Sequence, residues 1–191
     1  MELLLAQAAQ AVEPSAVAEL LTLYFLDTGM GWAVIGGILA VMLGGIGSAH
    51  GIRIACVQGA GVMSEKPELF GKLLVLMALP GTQGFYGFII AIMIAVQTGI
   101  MGGDVTVTPL AGLGLLFIGL CAGMVLWLSA VNQGRTSAAS INLTAKKPEE
   151  SGRAIILPAL VETYAVVALL AAILLILWVT NPDLTFTGAG G

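Results

Sequence analysis

The sequence KPELFGK at residues 66–72 returns as KPEESGR at residues 147–153, and a long apolar run lies on either side of each copy. A helical hairpin has therefore been duplicated. A membrane-spanning α-helix needs about 20 apolar residues at 1.5 Å per residue to cross about 30 Å of hydrocarbon. Four stretches reach that length: about 31–52, 73–98, 110–131 and 154–179. We predict an all-α membrane protein with four transmembrane helices, arranged as two tandem duplicated hairpins.

The composition supports a membrane location independently of the repeat. Of the 191 residues, 58% are hydrophobic and 9% are charged, whereas a soluble domain carries about 25% charged residues. The net charge of −4 provides no basic surface for phosphates, which argues against nucleic-acid binding. The runs are continuously apolar, which excludes the alternating strands of a membrane β-barrel. Two distant cysteines and a single histidine give no basis for a disulfide framework or a zinc site.

The basic residues predict the orientation in the membrane. All seven lie in or beside the two hairpin loops: Arg53, Lys66, Lys72, Arg135, Lys146, Lys147 and Arg153. Because positively charged loops stay on the cytoplasmic side, we expect a multi-pass protein of the cell membrane with both hairpin loops in the cytoplasm and both termini outside. Since both copies turn on the same side, the duplication is parallel, unlike the inverted repeats of many transporters.

The repeat divides the chain into four parts. These are an N-terminal extension (1–30), a first helical hairpin (31–99), a second helical hairpin (105–180) and a C-terminal tail (181–191). The extension begins with Met1 and the acidic Glu2, whereas a secretory signal begins with a positively charged region. We interpret it as a short interfacial helix or a loosely ordered extension rather than a cleaved segment. The first span begins earlier, near Leu20, if the segment up to Met30 joins it.

Small residues recur every few positions on two neighbouring stripes of the first span. One stripe contains Gly36, Ala40, Gly44 and Ser48, and the other contains Gly47, Gly51, Ala55 and Gly59. Small residues let helix backbones approach closely inside a membrane. Two adjacent stripes on one helix suggest neighbours on both sides, as in a ring of identical copies. The alternative is ordinary packing of four helices within one chain.

One acidic residue lies inside an apolar span. Ten of the eleven acidic residues fall in loops or outer segments, whereas Glu162 lies about eight residues into the fourth span. No basic residue in any span pairs with it. An ionised carboxylate in hydrocarbon costs several kcal/mol, so Glu162 must be protonated, bind a cation or meet an arginine of another chain. Each possibility gives this residue a functional role.

The second span supplies uncharged oxygen atoms at a similar depth. In the motif LPGTQGFY, which begins at Leu79, a hydroxyl, a carboxamide and a phenol lie on one helical face, from Thr82, Gln83 and Tyr86. Pro80 removes one backbone donor and distorts the helix, so nearby carbonyls such as that of Leu79 become available as ligands.

Two coupling ions are compatible with these residues. Neutral oxygens together with one carboxylate form a site of zero net charge when they hold a monovalent cation. So many oxygens favour sodium, because a proton needs the carboxylate alone. Gln83 and Gln133 can instead donate hydrogen bonds to Glu162, which leaves the proton open as an alternative.

These motifs resemble the proteolipid or K subunit of bacterial V-type rotary ATPases, which forms the membrane rotor as a homo-oligomeric ring. The resemblance rests on the duplicated hairpin, on LPGTQGFYG at 79–87 and on VETYA at 161–165, and it covers roughly residues 31–180. It implies a sodium site made by a leucine carbonyl, a threonine hydroxyl, two glutamines and a glutamate that a tyrosine hydrogen-bonds. The matching residues are Leu79, Thr82, Gln83, Gln133 and Glu162, with Tyr86 as the tyrosine.

The resemblance also implies partners and a mechanism. A stator membrane subunit bearing an arginine would favour the empty, ionised Glu162, and central-stalk subunits would connect the ring to a soluble ATP-hydrolysing head. By itself the chain would not be an enzyme. Two alternatives remain at this stage: the same ring with H⁺ as the coupling ion, and an independent four-helix cation transporter that works as a monomer or dimer.

Overall fold

The computed structural model of the protein describes residues 14–103, 105 and 107–181. The α-helices in these ranges are α1 (Pro14–Thr22), α2 (Met30–Glu65), α3 (Phe70–Ala78), α4 (Thr82–Gln97), α5 (Pro109–Lys146), α6 (Ser151–Ala154) and α7 (Ile156–Val179). A π-helical turn, Leu23–Asp27, follows α1. Three 3-10 turns connect the other helices: Pro67–Leu69, Leu79–Gly81 and Pro148–Glu150.

Four segments of the described ranges are long and apolar enough to cross a membrane. They are Met30–Glu65, Pro67–Gln97, Pro109–Lys146 and Pro148–Val179. The predicted four transmembrane helices in two hairpins are therefore confirmed. However, α2 and α5 continue beyond the expected ends at 52 and 131, because hydropathy marks only the part inside hydrocarbon. An α-helix satisfies its own backbone groups, so it can continue into water; the 36 residues of α2 span about 54 Å.

The two hairpins lie side by side and run in the same direction. Helices α2 and α5 form a central pair along most of their length, while α4 packs on α2 and α7 packs on α5. The two hairpin turns meet at one end, where Lys66 Nζ donates to the Ala145 carbonyl (2.6 Å) and Lys72 Nζ donates to the Pro148 carbonyl (2.9 Å). This arrangement is the one that a parallel duplication requires.

Glycines set the distance between the two central helices. A Cβ atom added at Gly36 would lie 2.5 Å from the carbonyl oxygen of Leu115, and one added at Gly119 would collide with the backbone of Gly36. Gly51 and Gly134 oppose each other in the same way, nearer the hairpin loops. Because lipid gives helices no hydrophobic reason to associate, such close backbone packing is a main source of their attraction.

Both small-residue stripes of α2 are used within the single chain. All eight of their residues are buried there. For example, a Cβ atom on Gly44 would lie 2.7 Å from the Gln83 carbonyl oxygen of α4, and one on Gly51 would collide with Ala130 of α5. The suggestion that the two stripes serve neighbouring copies on both sides is therefore wrong. The reason is that α2 needs close contact both with its hairpin partner and with the second hairpin.

A glycine separates the N-terminal extension from the first span. Gly29 has φ +63°, a left-handed conformation that L side chains rarely adopt, and α2 begins immediately after it. The first span therefore begins at Met30 and not near Leu20. The extension contains the short helix α1, and Trp32 Nε1 ties the following turn to α2 by donating to the Phe25 carbonyl (2.9 Å). Residues 1–13 of the extension and 182–191 of the tail lie outside the described residues.

The close approach of α2 and α5 can be tested with one alanine. Gly119→Ala should lower the free energy of unfolding by about 1–3 kcal/mol, because the new methyl group meets backbone that has no room to move. The measurement is reversible unfolding of the purified chain in detergent. The control is Gly61→Ala, where nothing lies within 4 Å of the added Cβ atom. Equal effects of the two substitutions would contradict the proposed packing role of Gly119.

Candidate ion-binding site

A proline interrupts the second helix of the first hairpin. Pro80 lies in the 3-10 turn between α3 and α4, where the Leu79 carbonyl accepts the Thr82 backbone N–H. The same carbonyl accepts a hydrogen bond from Thr82 Oγ1 at 3.2 Å. Just after this turn, the Gly84 N–H donates to Ser48 Oγ of α2 at 2.8 Å, which fixes the start of α4 against the central pair.

A second proline lies at the corresponding place in the second hairpin. Helix α6 ends at Ala154 and α7 begins at Ile156, and buried Pro158 has no N–H for the carbonyl four residues before it. The carbonyl oxygen of Pro158 itself accepts a hydrogen bond from Gln133 Nε2 of α5 at 3.1 Å. A backbone carbonyl from each hairpin, that of Leu79 and that of Pro158, therefore lies among the polar side chains between the hairpins.

The Glu162 carboxylate is held by donors from two other helices. The Tyr86 hydroxyl of α4 donates to Oε1 at 2.8 Å, and Gln133 Nε2 of α5 donates to Oε2 at 3.3 Å. Within the residues that the structure describes, Glu162 forms no salt bridge; Arg153 and Glu150 pair at the end of the hairpin loop instead. Each carboxylate oxygen thus has one donor, and no cationic side chain of these residues neutralises the group.

The two glutamines form a chain of amides between α7 and α4. Both side chains are fully buried. Gln133 Nε2 faces the Pro158 carbonyl and the Glu162 carboxylate. When the carboxylate is ionised, neither group has a hydrogen to donate, so both act only as acceptors. The Gln133 amide must therefore direct its oxygen towards α4, where Gln83 Nε2 donates to it at 2.6 Å. As a consequence, Gln83 Oε1 points away from α5.

Three uncharged oxygen atoms gather where Gln83 Oε1 points. Thr82 Oγ1 lies 3.4 Å from Gln83 Oε1 and 3.2 Å from the Leu79 carbonyl oxygen. Carbonyl, hydroxyl and carboxylate oxygens are the donor atoms that hard cations prefer. The hydroxyl proton can serve only one of its two neighbours at a time, so this cluster has lone pairs to spare for a ligand.

The structure thus brings the residues singled out in the sequence into one region. Direct hydrogen bonds join Tyr86, Glu162, Gln133 and Gln83, and Gln83 connects them to Thr82 and Leu79. That these residues hold an ion remains a prediction. His50, which occupies the place of Gln133 in the first repeat, is exposed on α2, where its Nδ1 atom contacts the carbonyl of Ile46 (3.0 Å).

Sequence reasoning missed two groups that belong to this network. One is the Pro158 carbonyl of α7, whose position opposite Gln133 depends on how α5 and α7 pack together. The other is Ser129 of α5, which is 8% exposed and contacts both Gln83 and the backbone of α7. Ser129 precedes Gln133 by four residues and so lies on the same helical face; this spacing was the available signal.

The family model of the ATP synthase C subunit matches the chain twice, over residues 35–94 and 116–175, one match for each hairpin. The chain belongs to this ATP synthase proteolipid family. Proteins of this family are membrane components of rotary ATPases, so the chain is one part of a rotary complex and not an enzyme by itself. The alternative of an independent four-helix transporter is thereby set aside, and the resemblance to the K subunit is confirmed.

Two relatives illustrate the similarity. The chain is 40% identical over 149 residues to the V-type sodium ATPase subunit K of Enterococcus hirae, covering 78% of this chain and 92% of that protein. It is also 40% identical over 145 residues to the A-type ATP synthase subunit K of Methanocaldococcus jannaschii, covering 76% of this chain and 61% of that protein. Both matches extend well beyond a single hairpin.

The bond between Tyr86 and Glu162 can be measured by a double-mutant cycle. Tyr86→Phe should lower the free energy of unfolding in detergent by about 1–3 kcal/mol, because it leaves a carboxylate oxygen without its donor. The loss should shrink to less than half in a Glu162→Ala background. Tyr164→Phe serves as the control, since Tyr164 is 73% exposed. A loss from Tyr86→Phe that is unchanged by Glu162→Ala would show that the bond contributes nothing.

Proposed function

We propose that this chain carries Na⁺ across the membrane as one member of a rotor ring, by reversible binding at Glu162 that is coupled to rotation. The observation that carries the proposal is a single carboxylate within a membrane span, connected through two buried amides to a cluster of uncharged oxygens. One negative charge balances one monovalent ion, so the occupied site is neutral.

The number of oxygens supports a metal cation over a proton. Thr82 Oγ1 lies 3.2 Å from the Leu79 carbonyl oxygen and 3.4 Å from Gln83 Oε1. A hard cation takes several such oxygens as ligands, whereas a proton needs the carboxylate alone.

Each proposed ligand has a distinct role. The Leu79 carbonyl, Thr82 Oγ1 and Gln83 Oε1 provide three neutral oxygens on the side of α4. Gln133 Oε1 accepts one bond from Gln83 and keeps a second lone pair for the ion. Glu162 supplies the charge.

Tyr86 orients the Glu162 carboxylate without binding the ion itself. Its hydroxyl donates to one carboxylate oxygen and so limits rotation of the group. With the Gln133 amide on the other oxygen, the carboxylate is held between the two hairpins in a defined direction. Because the carboxylate is already oriented, less conformational entropy is lost when the ion binds.

The relative from Enterococcus hirae supports the same ion. That protein is named as a subunit of a sodium ATPase, and its similarity to this chain extends over 92% of its length. The residue types that the resemblance requires at a sodium site are all present here, at Leu79, Thr82, Gln83, Gln133 and Glu162.

Electrostatics then couples ion binding to rotation. A filled site is neutral and can pass through lipid, whereas an empty, ionised Glu162 is costly there and is favoured only opposite a positive charge. An arginine of the stator membrane subunit would provide that charge and force exchange of the ion between two half-channels. Each monovalent ion crossing 100 mV exchanges about 2.3 kcal/mol with the membrane potential, so several copies in the ring must turn for one ATP.

The orientation in the membrane follows from the distribution of charge. Five of the seven basic residues lie in or beside the hairpin turns, which meet at one end of the fold. The other two, Arg53 and Arg135, lie in the parts of α2 and α5 that continue beyond the apolar spans towards that end. By the positive-inside rule this end faces the cytoplasm. The loops are therefore the surface that would face the central stalk, and both termini lie outside.

Carbodiimide labelling tests the identity of the ion. The reagent modifies protonated carboxyl groups, so labelling of the purified ring should be confined to Glu162 and should slow down at millimolar sodium but not in choline at equal ionic strength. Mass spectrometry of peptides locates and quantifies the product. Thr82→Val keeps the carboxylate and removes one ligand, so protection of this variant should require about tenfold more sodium. Labelling that ignores sodium at several pH values would favour the proton instead.

Removal of the charge tests the transport role. Glu162→Gln keeps the size and one carbonyl oxygen of the side chain, so rings should assemble, while sodium transport by the reconstituted complex should fall at least about a hundredfold because no charge remains to be exchanged. Glu149→Gln, an exposed carboxylate of the loop, should leave transport unchanged. Coupled pumping retained by Glu162→Gln would contradict the mechanism.

A further inference from the structure

Ser129 lies beside the proposed ion site and has no role in it so far. Its side chain is 8% exposed and its hydroxyl connects two helices. The hydroxyl donates to the Val161 carbonyl of α7 at 3.3 Å, and Gln83 Nε2 of α4 lies 3.5 Å from Ser129 Oγ, at the long end of hydrogen-bond distance. Ser129 therefore contacts the residue just before Glu162 and one of the proposed sodium ligands at the same time.

We propose that Ser129 is a positioning residue that keeps the Gln83 amide, once Gln133 has oriented it, with its carbonyl oxygen towards the ion. A serine hydroxyl has one proton to donate. Since the Val161 carbonyl can only accept, that proton is committed to α7, and Ser129 Oγ presents lone pairs to Gln83. Only the amide nitrogen of Gln83 can use them, so its carbonyl oxygen must point elsewhere.

Two acceptors on α5 then hold the two hydrogens of one amide nitrogen. Gln83 Nε2 donates to Gln133 Oε1 at 2.6 Å and has Ser129 Oγ as its second partner. With both hydrogens engaged, Gln83 Oε1 lies on the side of Thr82 Oγ1. A flipped amide would place Gln83 Oε1 against the acceptor Gln133 Oε1, and Ser129 could meet it only by giving up its bond to the Val161 carbonyl. It would also direct the N–H groups of Gln83, which repel cations, into the site.

Ser129 matters most when the ion arrives. Gln133 Oε1 is both the stronger partner of Gln83 and a proposed ligand of the ion, so a bound cation draws on the same oxygen and weakens its bond to Gln83. Ser129 Oγ is not a proposed ligand and keeps its lone pairs for Gln83 throughout. The hydroxyl thus preserves the ligand orientation during binding and release. This inference rests on the proposed sodium function.

Equilibrium binding of ²²Na⁺ to the purified ring tests this role, alongside the rate at which carbodiimide modifies Glu162 without sodium. Ser129→Ala should weaken sodium binding about tenfold and leave the sodium-free modification rate within about twofold, because Tyr86 and Gln133 still hold the carboxylate. A substitution that merely disturbed packing would change both quantities. Ser129→Thr should restore binding, since the side chain borders an open groove of about 250 Å³ that has room for a methyl group.

Ser137→Ala is the matched control, because Ser137 is fully buried on the same helix and its hydroxyl has no partner among the described residues. It should bind sodium as the unmodified ring does. If Ser129→Ala fails to assemble, Ser129→Cys replaces it, since sulfur keeps the volume but is a weak acceptor. Unchanged sodium affinity of Ser129→Ala, or equal losses in both alanine variants, would overturn the role of Ser129 alone. Absence of sodium binding in the unmodified ring would overturn the proposed function and this inference together.

Discussion

The cost of a carboxylate inside a membrane-spanning helix organises the rest of this structure. Glu162 has no cationic partner among the described residues, yet each of its oxygens receives a hydrogen bond, one from Tyr86 and one from Gln133. These donors come from α4 and α5, so three helices must converge at one depth. An ionised carboxylate in hydrocarbon that lacked these hydrogen bonds would be costly, which is the physical reason for the bonded polar groups around Glu162.

The backbones of α2 and α5 lie very close together, which allows the donors to reach Glu162. Glycines of α2 face glycines of α5, which leaves α4 and α7 near enough for their side chains to meet across the gap. One backbone carbonyl of each outer helix segment, that of Leu79 and that of Pro158, faces the same region. Close packing sets the distance between the polar groups, and these carbonyls add acceptors to those of the side chains.

The hydrogen bonds also fix the orientation of the two glutamine amides. The Pro158 carbonyl fixes the orientation of the Gln133 amide, and Gln133 in turn fixes that of Gln83. As a result, Gln83 presents its carbonyl oxygen to Thr82. Each amide has one donor end and one acceptor end. The acceptor on α7 therefore determines the orientation of the Gln83 amide on α4. The two hairpins differ at this position: the first repeat has the exposed His50 where the second has the buried Gln133.

The sequence by itself determined the four spans, the parallel duplication and the presence of one carboxylate, Glu162, within an apolar span, because hydropathy, charge and repeats are properties of local composition. Helical spacing also placed Thr82, Gln83 and Tyr86 on one face of a single helix. The tertiary structure decided which helix faces meet. Both small-residue stripes pack inside the chain, and α2 and α5 extend past their apolar segments. Ser129 and the Pro158 carbonyl also join the polar network. The physical reason is that a hydrogen bond between helices depends on their separation and rotation, which arise from packing between segments far apart in the chain.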